Sequence, residues 1–65
     1  MKYYSIHVFY SRKNGYSIPF KTTVEGEEEI INAAVKKGKL ASDDADSVDS
    51  VDEIDATEYK LMGGK

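Results

Sequence analysis

Residues 2–24 have the sequence KYYSIHVFYSRKNGYSIPFKTTV, in which two strand-like segments follow one another. Residues 2–11 are rich in aromatic and β-branched side chains, which favour strands. Residues 16–24 alternate regularly, with an apolar side chain or Thr at every even position from Tyr16 to Val24. The two segments therefore predict an antiparallel pair of strands joined by a tight turn around Asn14-Gly15.

The register of this pair decides which side chains share a face. A two-residue Asn14-Gly15 loop would put the two apolar rows on opposite faces of the sheet. A three-residue loop that adds Lys13 pairs Val8 with Phe20, and it places both rows on one face. We therefore predict the three-residue loop, with Gly15 as the left-handed residue of a type I turn with a bulge.

Residues 27–37 predict the main helix. Three glutamates lie in its first turn and lysines lie near its end, where each sign of charge complements the helix dipole. Gly38 predicts the helix stop, with Leu40 packing back onto the helix. One face of the helix carries Glu27, Ile30, Ile31, Ala34 and Val35.

Residues 46–55 contain the three-residue repeat DSV-DSV-DEI-D. A period of three suits neither a helix nor a strand. Because Asp, Ser and Val are poor helix formers, we predict a third strand over residues 47–54. In a regular strand, Val48 and Ile54 would share the buried face and Val51 would lie on the open one.

These elements predict an α+β fold in a single domain that spans residues 1–65. The expected architecture is a three-stranded antiparallel sheet (ββαβ) with one main helix on one face and a short C-terminal helix. That last helix follows a capping box, Asp55 to Glu58, and ends at Gly63-Gly64. The second strand should lie at the sheet edge, because Pro19 cannot donate a ladder hydrogen bond.

Composition limits the class of protein. The chain has no Cys, which excludes disulfides and thiolate metal sites and fits a reducing compartment. Its start lacks an apolar signal region, and no segment approaches the roughly 18–20 apolar residues of a membrane span. We expect a cytoplasmic protein without membrane association.

One helix covers only one face of such a sheet, so we expect the other face to be open. It would display Tyr3, His7 and Phe9, and exposed patches of this kind often mark interfaces. Two occupants stay open: a partner or second copy of the chain, and the terminal helix itself. Binding of nucleic acid is not expected, because the acidic residues would repel phosphate. The terminal helix would cover the face through Tyr59, Leu61 and Met62.

The acidic residues are strongly segregated. All twelve carboxylates lie between Glu25 and Glu58, whereas the first 24 residues carry only basic charge. A concentrated anionic face attracts basic partners, and carboxylates spaced by three residues would imitate the phosphates of nucleic acid. The alternative is plain solvation that keeps strand edges from pairing. The predicted acidic face comprises Asp43, Asp44, Asp46, Asp49, Asp52, Glu53 and Asp55.

Neither catalysis nor metal binding is expected. His7 is the only histidine, and its ordinary role would be a strand residue with one ring nitrogen in solvent. An EF-hand loop starting at Asp44 fails, because Asp49 stands where glycine is required. We therefore predict no catalytic residue, no metal and no cofactor.

The order of elements resembles that of small DpnD/PcfM-like proteins over about residues 2–54. The similarity rests on a hairpin, then Val24-Glu25 before the helix with Ala34 and Gly38, then an acidic segment before the last strand. The triplet repeat and the capped helix depart from that pattern. The resemblance implies an accessory protein of phages or other mobile elements and no active residues.

The sequence thus favours a non-enzymatic module that binds another protein. The sharper hypothesis is an inhibitor or modulator of a basic nucleic-acid-handling protein, acting through the acidic face. The alternative is a structural homo-oligomer assembled through the aromatic face.

Overall fold

The computed structural model describes residues 1–10 and 13–64. Within them lie three strands, β1 (Lys2–Tyr10), β2 (Lys13–Thr22) and β3 (Val48–Ile54), and two α-helices, α1 (Glu27–Lys36) and α2 (Ala56–Leu61). A short 3-10 helix, Asp44–Ser47, precedes β3. The strands form one antiparallel sheet in the order β2-β1-β3. The predicted α+β architecture is confirmed, including the edge position of the strand that carries Pro19.

The register of β1 and β2 differs from the prediction by four residues. Phe20 lies opposite Tyr4 and not Val8, although the apolar rows share one face as expected. β2 begins at Lys13, so Gly15 lies in a bulged part of the strand and lacks the predicted left-handed backbone. Glycine is required there by close approach, because a Cβ would overlap the Val8 carbonyl oxygen. Arg12, next to the predicted turn, lies outside the described residues.

A bulge at Asp49 accommodates the three-residue repeat of β3. Because of this extra residue, Val48 and Val51 both pack against the core although they are three positions apart. Ile54 lies on the other face, where it is opposite Tyr3. The prediction that Val51 would lie on the open face and Ile54 on the buried face is wrong, because it assumed a strand without a bulge.

The core lies between α1 and the side chains of Tyr4, Ile6 and Val8 on β1. Ile6 at its centre is fully buried, and Ile30 and Ala34 of α1 pack over it. The helix ends one residue earlier than predicted, and Gly38 follows with φ of 76°. Leu40 is buried against the core, so the predicted helix stop is confirmed.

The side chain of Asp55 caps α2 by accepting a hydrogen bond of 2.7 Å from the Glu58 N–H. Asp55→Ala leaves this N–H without its partner, and we expect the free energy of unfolding to fall by about 1 kcal/mol. Urea unfolding followed by circular dichroism measures the change. The matched control is Asp43→Ala, at an exposed acidic position, which should change stability by less than about 0.5 kcal/mol. Equal losses for the two variants would show that the cap adds nothing.

Candidate functional site

Helix α2 covers one end of the sheet face opposite α1. Tyr59 is only 7% exposed, and its ring lies 4.9 Å from that of Tyr3, centroid to centroid. Gly64 turns back over this ring, and its N–H donates to the Tyr59 carbonyl oxygen at 3.0 Å. Leu61, also predicted to cover the face, is 82% exposed and does not do so. The chain therefore covers the Tyr3 end of the face by itself.

The other end of this face stays uncovered. Phe9 is 62% exposed, although it lies on the central strand of the sheet. His7 beside it is half-buried. The predicted aromatic face is thus divided, because Tyr3 is packed under α2 while His7 and Phe9 face solvent.

His7 joins side chains from all three strands. Its Nδ1 lies 2.6 Å from Ser17 Oγ, and its Nε2 lies 2.9 Å from Asp52 Oδ2. When Nε2–H donates to Asp52, Nδ1 accepts the Ser17 hydroxyl proton, so one neutral tautomer satisfies both bonds. The expectation of a solvated ring nitrogen is wrong, because each nitrogen has a protein partner.

Sequence reasoning missed Ser17 because the register was wrong. Ser17 lies directly opposite His7 across the β1–β2 ladder. The predicted register would have placed Lys21 there. Only the correct pairing of the two strands could have revealed this row of side chains.

Ser17, His7 and Asp52 are hydrogen-bonded in the same order as the side chains of a hydrolase catalytic triad. The environment of these side chains differs from that of such a triad. The side chains of His7 and Asp52 are 36% and 65% exposed, so water is not excluded. Acyl transfer also needs hydrogen-bond donors aimed at the developing oxyanion. The backbone N–H groups near Ser17 lie in the plane of the sheet, so they do not point over the face that carries Ser17 and His7. The row is therefore suited to fixing the position of the Asp52 carboxylate.

The two predicted surfaces meet at one cavity of about 410 Å³, here called the His7 cavity. The site is a shallow depression that is widely open to solvent. Two carboxylates therefore stand beside an exposed aromatic ring. The polar and aromatic side chains that line the site are His7, Phe9, Tyr16, Ser17, Asp49, Ser50 and Asp52.

The remaining residues of the predicted acidic face lie elsewhere. Asp43, Asp44 and Asp46 belong to the 3-10 helix and its approach, and that helix contacts α1. Glu53 lies opposite Tyr4, one position from Asp52, and so on the other face of the sheet. Asp55 is used as the cap of α2. The predicted row of phosphate-like carboxylates is thus divided among separate elements.

Asp44 has a structural role, because its carboxylate accepts a hydrogen bond from the Tyr16 hydroxyl. Asp46 lines a second acidic cavity of about 420 Å³ together with Glu27 and Glu28 of α1. That cavity contains no aromatic ring among its described residues. We call it the helix-side acidic cavity.

Comparisons with known proteins do not identify a function for this chain. No family model matches the chain, and no curated protein or solved structure matches it. Across residues 1–10 and 13–64, no helix has the length and apolar character needed to cross a membrane. The same residues contain no group of three or more metal-ligating side chains placed to hold a metal ion.

Proposed function

We propose that this chain is a non-enzymatic protein-binding module, which holds a basic side chain of a partner protein in the His7 cavity. The observation that carries the proposal is the exposed Phe9 ring beside the carboxylates of Asp49 and Asp52. The hydrogen bond from His7 holds Asp52 in place before any partner arrives.

An arginine side chain matches these groups best. Its guanidinium group stacks on an aromatic ring and pairs with a carboxylate at the same time. Each contact contributes on the order of 0.5–1 kcal/mol at an exposed site, so a specific complex needs further contacts around the cavity. The acidic residues along β3 and the 3-10 helix would supply long-range attraction to a basic partner.

The partner that we propose is a basic nucleic-acid-handling protein. A basic nucleic-acid-handling protein presents arginine and lysine where it holds phosphates, and the carboxylates of Asp49 and Asp52 would occupy one such position. The chain would then act as an inhibitor or modulator in the cytoplasm. The resemblance to accessory proteins of mobile elements supports this setting.

A homo-oligomer joined through Phe9 is the second candidate, and the exposure of that ring favours it. However, a two-fold interface uses the same patch on both copies. It would bring Asp49 and Asp52 of one copy towards those of the other. This repulsion favours a basic partner over a second copy.

Capture of partners from a bacterial lysate tests the function. The baits are the wild type, D49N/D52N in the His7 cavity, and D43N/D46N as a control with the same loss of charge. We expect one basic protein to be retained by the wild type and the control, and its retention to fall about tenfold with D49N/D52N. Raising the salt concentration should also release it.

The proposal fails if D43N/D46N loses the partner as completely as D49N/D52N, because a diffuse charge effect would then explain binding. Sedimentation separates the second candidate. Self-association that F9D abolishes and D49N/D52N retains or strengthens would establish the homo-oligomer instead.

A further inference from the structure

A cavity lined by lysines lies at the β2 edge of the sheet, and its charge is opposite to that of the acidic His7 cavity. It measures about 440 Å³, and Lys21, Lys37 and Lys39 surround an apolar part formed by Pro19 and Tyr59. We propose that this lysine cavity binds a small organic anion, a phosphate or carboxylate group carried on a flat apolar body.

The fold brings the three lysines together from two elements. Lys21 lies on β2, whereas Lys37 is the C-cap residue of α1 and Lys39 follows the left-handed turn at Gly38. Two hydrogen bonds fix this turn. The Gly38 N–H donates to the Val35 carbonyl at 3.0 Å, and the Lys39 N–H donates to the Ala34 carbonyl at 2.9 Å. The backbone positions of Lys37 and Lys39 are thus set by the helix end.

These cations lack a counterion in the part of the chain that the structure describes. Lys2 by contrast lies 2.5 Å from Glu25, whose hydrogen bond and charge raise the pKa of Lys2. No such ion pair involves Lys21, Lys37 or Lys39 among the described residues, and none of the described residues that line the cavity is acidic. Clustered like charges around a concave surface favour binding of an anion.

The apolar part of the lining decides the class of anion. The volume lies in the range of roughly 300–1,000 Å³ that suits a small molecule and exceeds what an inorganic ion fills. Pro19 presents a ring without an N–H on the edge strand, and Tyr59, which is only 7% exposed, borders the cavity with the small part of its surface that stays accessible. A flat ring between them would bury apolar surface while its charged group meets the lysines.

The lysine cavity is independent of the His7 cavity. The two sites share no lining residue within the described residues, and they select ligands of opposite charge. A failure of either proposal therefore leaves the other intact.

A titration followed by ¹H–¹⁵N NMR tests this site, with phenyl phosphate as the probe. Inorganic phosphate supplies the charge alone, and benzyl alcohol supplies the ring alone. We expect phenyl phosphate to give saturable shifts at Lys21, Lys39 and Tyr59 and to bind more tightly than either fragment. K37Q/K39Q should weaken its binding about tenfold.

The matched control is K36Q/K60Q, which removes two exposed lysines outside the cavity and should change the Kd less than about twofold. The proposal is overturned if no saturable shift appears with phenyl phosphate at concentrations on the order of 10 mM. It is also overturned if inorganic phosphate binds equally well, or if the control variant loses as much affinity. K21Q provides a second test should K37Q/K39Q fail to fold.

Discussion

Tyr59→Ala is expected to lower the free energy of unfolding by about 3 kcal/mol, a large share of the stability of a 65-residue domain. The substitution removes a 93% buried ring that packs on Tyr3, and it leaves a void on the sheet. It also removes the surface on which Gly64 packs. Urea unfolding followed by circular dichroism measures the loss.

Leu61→Ala is the matched control for Tyr59→Ala, because both residues are apolar and both lie on α2. Leu61 is 82% exposed, so its truncation should cost less than about 0.5 kcal/mol. Equal losses would mean that α2 packs through a different side, and that the Tyr3 end of the sheet is open. The exposed aromatic surface would then extend beyond the His7 cavity to Tyr3.

Gly15→Asn is expected to destabilise the fold by about 2 kcal/mol. A side chain at this position would overlap the Val8 carbonyl oxygen and crowd the Phe9 Cα. Both are backbone atoms of the central strand, so the bulge or the strand must shift. The loss should appear in urea unfolding, and it should be accompanied by NMR shifts at His7 and Ser17.

Gly38→Asn controls for the type of substitution. Gly38 has φ of 76°, and a Cβ there meets no atom within 4 Å. Asparagine tolerates this conformation at a helix end, so the change should cost only a few tenths of a kcal/mol. Had Gly15 been the left-handed turn residue that the sequence suggested, Asn would be tolerated there as well. A neutral Gly15→Asn would therefore restore the turn prediction.

The sequence was sufficient to predict the elements and the faces of the first two strands. Alternation in β1 and β2 predicted one buried row, and Glu27 to Gly38 predicted the helix and its stop. The register was not predictable in the same way, because a shift by an even number of residues, here four, keeps every side chain on its face. The bulge at Asp49 was also hidden, since an inserted residue leaves no mark on composition.

The candidate site could likewise be predicted only in part from the sequence. Phe9, Asp49 and Asp52 were identified from their residue types and from their positions in the predicted strands. Ser17 was missed, because its role depends on the true register opposite His7. The lysine cavity was missed because its residues come from a strand edge and a helix end that only the tertiary structure brings together.

NMR mapping of a short arginine-containing peptide tests the central claim most directly, with the citrulline analogue as the uncharged control. We predict chemical-shift changes at His7, Phe9 and Ser50 that grow with the concentration of the arginine peptide, and none with the citrulline peptide. D49N/D52N should abolish the shifts, whereas D43N/D46N should retain them. Shifts centred instead on the helix-side acidic cavity, or binding that survives in D49N/D52N, would contradict the assignment of the partner site to the His7 cavity.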